Sequence, residues 1–283
     1  MALTSGVIFG LLAMVSFGMT DFLAKIAVAK ISPVKAFFYS YIIGTLPVAL
    51  VFMLFPKMHA FDKQLILLFV AGAIFNLIGY LTMMRSFEME KLSAVYPVIT
   101  MYPLVVVALG IFILNEKLSF SQGIGITSAL IGLFLISLNR KMEFGNKKAI
   151  YIALISMITW GITSFVIGYL VKSSNWLFAA FFFRISTLGA ASLLVGIKKI
   201  DLKLPKSSNI LLILILLGAA DGAGTVLFNL GVSTEAVSLI GPIAALSPVI
   251  VILLALFALK ERISNLQKLG IIGIITGLVI IAF

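Results

Sequence analysis

Four ionisable side chains stand inside long apolar runs: Asp21 and Lys25 in SFGMTDFLAK, Arg184 in FFFRIST and Asp221 in GAADGAG. A charge at the centre of a helix in lipid costs about 2.5–3.5 kcal/mol on insertion scales, so each is a candidate for chemistry. Asp221 is flanked by small residues that let a ligand or another helix come close. It reads as a proton-coupling or cation-binding carboxylate, or as a buried partner for Arg184. Arg184 offers a guanidinium fork to a carboxylate or phosphate, or a neutralising charge to Asp221. Asp21 and Lys25 are spaced i, i+4 with the acid first, the favoured order for a helical pair. Two readings follow: a self-satisfied pair, or a carboxylate facing a cavity while Lys25 snorkels to the interface.

Neutral polar groups accompany these charges. Asn76 is central in its own apolar run, and Tyr80, Tyr96, Tyr102 and Trp160 carry polar-tipped rings that seek a hydrogen-bond partner or a cavity. Lining one cavity, they would stack on an organic solute or hold a quaternary ammonium by cation–π attraction. Pro97, Pro103, Pro242 and Pro248 each remove a backbone donor, so the helices that contain them should kink or break. Such interruptions serve as hinges beside a cavity or as static kinks for packing.

The elements that position these groups follow from composition. The chain is 62% hydrophobic and 11% charged, against roughly 25% charged in soluble domains, which places it in a membrane. Segments of about 20 apolar residues, enough to cross a bilayer core, recur at 4–29, 34–55, 64–87, 92–114, 118–138, 148–171, 176–196, 209–232, 236–259 and 265–283. The expectation is an all-α integral membrane protein of ten transmembrane helices. The apolar run at the N-terminus has no basic residues before it, so it reads as a retained first span and not as a cleaved leader. There is no cysteine, and the lone His59 sits in a polar connection, so no metal or other cofactor is expected. The net charge of +11 belongs to basic connections at the membrane surface and not to a nucleic-acid site.

The chain repeats itself. Residues 76–138 lie over 221–283 without a gap, pairing Asn76 with Asp221, Glu90 with Glu235, Pro97 with Pro242, Pro103 with Pro248, Glu116 with Glu261 and Gln122 with Gln267. FGMT, 17–20, lies over WGIT, 160–163, which sets Ser164 opposite Asp21; Ser40 stands near the repeat position of Arg184. The basic stretch at 139–148 divides a first five-helix repeat, 1–140, from a second, 141–283. Five spans is an odd number, so the two halves enter the membrane in opposite senses. That inverted-repeat architecture places a binding site near the midplane between halves and suits alternating access. Lys30, Lys35, Arg85, Lys91, Arg140, Lys141 and other basic residues fall in odd-numbered connections, against Lys57, Lys63, Lys117 and Lys172 in even ones. By the positive-inside rule both termini would then lie outside.

WGITSF with FGMTDF, SAVYPVITMYPL with SLIGPIAALSPV, and the closing turns NEKLSFSQGIG with KERISNLQKLG resemble the drug/metabolite transporter superfamily in its ten-helix EamA-like branch. The resemblance spans essentially the whole chain. It implies secondary transport of small organic solutes through a central cavity, and it implies cytoplasmic termini, against the Lys and Arg distribution.

The candidate cavity charges, Asp21 and Asp221 against Lys25 and Arg184, nearly balance, so the expected solute is a small polar or zwitterionic, amino-acid-like metabolite. Its transport in the cell membrane would be coupled to protons or another ion. An organic cation held by Asp221 and aromatic rings, or a lipid-linked metabolite that enters sideways between helices, are the alternatives. An intramembrane aspartyl protease is remote, since Asp221 follows Ala219 and Ala220 and Asp21 follows Thr20, and no hydrolase or phosphate-loop motif is present. Glu116 and Glu261 read as caps for the following helices or interface partners of Lys117 and Arg262. GVIFG, 6–10, and GIITG, 273–277, read as seams for helix packing within the chain.

Overall fold

The computed structural model describes residues 4–90, 92–137, 146–204, 208–258 and 264–282. They form α1 (Ser5–Val28), α2 (Pro33–Leu54), α3 (Lys63–Met89), α4 (Leu92–Ile99), α5 (Pro103–Leu114), α6 (Phe120–Ser137), α7 (Lys147–Ser173), α8 (Trp176–Ile197), α9 (Ser208–Thr234), α10 (Val237–Ala244), α11 (Ser247–Ala258) and α12 (Asn265–Ala282). Among the described residues nine apolar spans are long enough to cross a bilayer, and the apolar helix Asn265–Ile281 is a shorter tenth. Backbone groups in lipid must pair within their own helix. The polar starts follow the same need: Asp62 accepts from Leu65 N–H at 2.7 Å and Asn175 from Phe178 N–H at 2.9 Å.

Helix lengths recur in order across 139–145. α2 and α8 have 22 residues each, α3 and α9 have 27, α4 and α10 have 8, α5 and α11 have 12, and α6 and α12 have 18. The expected interruptions at the prolines are present. The span over 92–114 is two helices, α4 and α5, joined by a tight turn in which Met101 and Tyr102 donate to Val98 and Ile99, both at 3.2 Å. Its counterpart joins α10 to α11 at Ala245–Leu246. Pro103 and Pro248 open the second helix of each pair, where their missing N–H is harmless, and Pro97 and Pro242 lie inside the first.

The bundle core is made between the halves. α1 packs against α9, α10 and α11, and α7 against α3, α4 and α5. α6 and α12 meet backbone to backbone: a Cβ on Gly125 would lie 2.7 Å from Gly277 O, one on Gly132 2.5 Å from Gly270 O, and the reverse contacts are equally close. Ser128 Oγ donates to Gly273 O across this seam at 3.0 Å. GIITG therefore packs within the chain, as does GVIFG, whose Gly10 fits beneath Ile240 and Ile243.

The turn after α5 departs from the sequence reading. α6 is capped by its own Ser119–Gln122 box, with Ser119 N–H donating to Gln122 Oε1 at 2.9 Å and Gln122 N–H to Ser119 Oγ at 3.2 Å. Glu116 instead reaches the other half, as its site among α10's free amides shows below. Glu261, Arg262 and the 140/141 division lie outside the described residues.

Candidate functional site in the centre of the bundle

Arg184 is 1% exposed in mid-α8, and each of its three nitrogens donates a hydrogen bond. Nη2 pairs with Asp221 Oδ2 at 2.8 Å and also reaches Tyr41 O at 3.3 Å. Nη1 donates to Thr225 Oγ1 at 2.9 Å and Nε to Thr45 Oγ1 at 3.2 Å. Its guanidinium lies over the Tyr41 ring, 4.5 Å from the centroid. Glycines allow this convergence: a Cβ on Gly44 would meet Arg184 Nη2 and Gly218 O, each at 2.5 Å, and one on Gly222 would meet Gly44 O at 2.6 Å. Asn76 joins the group by donating to the Tyr41 hydroxyl at 2.9 Å.

These contacts form a quartet across the two halves. Asp221 corresponds to Asn76, and the helix starts at Pro33 and Trp176 put Tyr41, not Ser40, opposite Arg184. The connection after α8 is longer than the one after α2, which shifts the repeat register there. An Arg–Asp pair in one half thus faces a Tyr–Asn pair in the other.

Asp21 belongs to a second group. Its Oδ2 accepts from Ser247 Oγ at 3.0 Å, at the start of α11. Asp21 is exposed on its helix at the level of the broken span of the opposite half. Asp221, Tyr96 and Tyr102 lie within its electrostatic reach. The rings of Trp160 and Tyr102 meet edge to face with centroids 6.1 Å apart. Lys25 is exposed one turn further along α1, and the hydrogen bond of Asp21 goes across to α11.

The repeated aromatic–glycine pair has a physical basis. Phe17 covers Gly224, and Trp160 covers Gly79, at matched places in the third span of the opposite half. A Cβ on Gly18 would lie 2.9 Å from Ser247 O and one on Gly161 would lie 2.9 Å from Tyr102 O. Each glycine admits the turn of the opposite half's broken helix, so FG and WG seat the two interruptions against α1 and α7.

Tyr80 stands apart from both groups. Its hydroxyl donates to Pro33 O at 2.5 Å, and its ring touches Phe37, which in turn packs on Tyr41. His59 is half-buried with its ring edge-on to Phe178. Four participants escaped the sequence reading: Tyr41, Thr45, Thr225 and Ser247. Their one signal was polarity in mid-span, which many threonines and serines here share.

Three likenesses bear on identity. The profile of the EamA-like transporter family matches residues 4–138 and again 147–283. An uncharacterized protein of Methanocaldococcus jannaschii is 29% identical over 135 residues, which cover 48% of this chain and 98% of that protein. A solved crystal structure shares the fold with a TM-score of 0.83 at 16% identity, covering 99% of this chain and 98% of the other. With one family match on each side of 139–146, the chain belongs to the EamA-like transporter family, and is a multi-pass membrane protein of a family that transports small molecules.

Proposed function

We propose that the chain is a secondary transporter in the cell membrane that moves a small organic cation or amine-bearing metabolite by alternating access, in exchange for protons carried on Asp21. One observation carries this reading: Arg184 is bonded to Asp221, Thr45, Thr225 and Tyr41, whereas Asp21 is exposed and bonded to a neutral hydroxyl. With the Arg184–Asp221 pair self-cancelling, the neighbourhood of Asp21 between the halves is left with a carboxylate and aromatic rings. Such a site holds an ammonium group or a proton in turn, which couples the two. This favours the cation over the amino-acid-like zwitterion, whose carboxylate would need the guanidinium.

The two halves, 1–140 and 141–283, act as inverted repeats in this scheme. Support comes from the contacts. The start of α1 packs on the end of α9, where Gly6 meets Thr234 and Glu235, and the end of α3 meets the start of α7, where Asn146 N–H donates to Glu90 Oε2 at 2.8 Å. The turns between Pro97 and Pro103 and between Pro242 and Pro248 are the hinges, and they border Asp21.

The test is counterflow in proteoliposomes with a panel of amines, quaternary amines, amino acids and nucleosides under an imposed pH gradient. An amine should be carried, and Asp21→Asn should abolish the pH-gradient dependence while the protein stays folded. Amine transport that keeps its pH-gradient dependence in Asp21→Asn would refute the role of Asp21. Transport of zwitterions but not of simple amines would return the solute to the amino-acid class.

A further inference from the structure

α10 has an unusual start. Its N-cap residue, Ala236, has no side chain able to bond the first free amides. Glu116, from the turn after α5, supplies both acceptors: Val237 N–H donates to Oε1 and Ser238 N–H to Oε2, each at 2.9 Å. The negative carboxylate meets the positive end of the helix, which strengthens both bonds. The approach is built in. Asn115 adopts a left-handed conformation (φ 53°) that turns the chain, and a Cβ on Gly110 would lie 2.5 Å from Glu116 Oε2.

The contact lies at a closely packed end of the bundle. Gly6 packs on Thr234 and Glu235, so α1 begins at this same end. All eight residues of α10 are buried, and α10 packs on α5. Phe61, from the connection between α2 and α3, closes over Phe178 and Phe182 there. Among the described residues the repeat counterparts of α5 and α10, α11 and α4, make no more than marginal contact; Glu261, the counterpart of Glu116, lies outside them.

We propose that Glu116 is an access latch: its grip on α10 holds shut the end where α1 begins, and it releases each time that end opens. The proposal rests on alternating access and not on the identity of the solute. The chain has no cysteine, so reporters need no background removed. Ser238, fully buried behind the cap, and Tyr96, half-buried on α4 toward the end where α7 begins, are each changed to Cys in separate proteins. Labelling by a hydrophilic maleimide is then timed in detergent, with and without Glu116→Gln. The latch predicts that labelling at position 238 rises about tenfold while labelling at position 96 falls, as one population drains into the other. Both sites rising together, which is general loosening, or position 238 staying protected, or position 96 failing to fall, overturns it. Labelling does not depend on any solute, so failure of the amine-transport experiment leaves this result standing, and the reverse also holds.

Discussion

Replacing Asp221 by Asn strands the charge of Arg184 at a site only 1% exposed. Breaking a buried pair by removing one partner costs about 3–5 kcal/mol. Thr45, Thr225 and the Tyr41 carbonyl still hold three edges of the guanidinium, and the Asp221 side chain is 19% exposed, which puts the loss near the lower end, about 3 kcal/mol. The first half supplies the rescue. Its Tyr41–Asn76 hydrogen bond satisfies the matching positions without charge, so Arg184→Tyr together with Asp221→Asn should recover all but about 1 kcal/mol. Reversible unfolding in mixed micelles, followed by tryptophan fluorescence, compares both variants with the unmodified protein. If Asp221→Asn alone loses less than about 1 kcal/mol, the pair is not what holds the quartet together. If the double variant is no better than the single, the two halves are not interchangeable at this site.

Gly18→Ala should destabilise by about 2 kcal/mol through its clash with Ser247 O and the Ile250 side chain, whereas Gly123→Ala, with open space around its Cβ, should be neutral or slightly stabilising; thermal unfolding of the two compares them. Ser247→Ala removes the hydrogen bond to Asp21, and should shift the apparent affinity for amines several-fold with a stability change below about 1 kcal/mol, read by counterflow and unfolding together. Tyr80→Phe should lose about 1 kcal/mol of stability with its bond to Pro33 O, and leave solute affinity in counterflow unchanged.

The spans, their repetition and the proline interruptions were legible because they depend on local properties: run length, residue type and spacing. The pairing of Arg184 with Asp221 was legible as one of two choices, since a buried charge needs a partner. Tyr41 was missed because the repeat register slips between the second and third spans, where one connection is longer than its twin. Glu116 was read locally because a turn carboxylate next to a helix start usually caps that helix. Here Ser119 and Gln122 already do so, and the free amides lie more than a hundred residues away. Ser247 was hidden for a more general reason. A helix apolar on every side carries no stripe to say which face turns inward, so one serine among many gives no direction.

The seam between α6 and α12 has a consequence for how the sequence is free to change. Ser128 and Gly273 occupy the same place in their respective repeats, and they touch each other. Two identical copies meeting along such a seam must set every axial residue against itself: serine on serine, or glycine on glycine. Joined in one chain, the copies escape that rule. One side contributes a hydroxyl, the other the bare backbone that receives it, and a fit is reached that no self-paired surface with a single sequence provides.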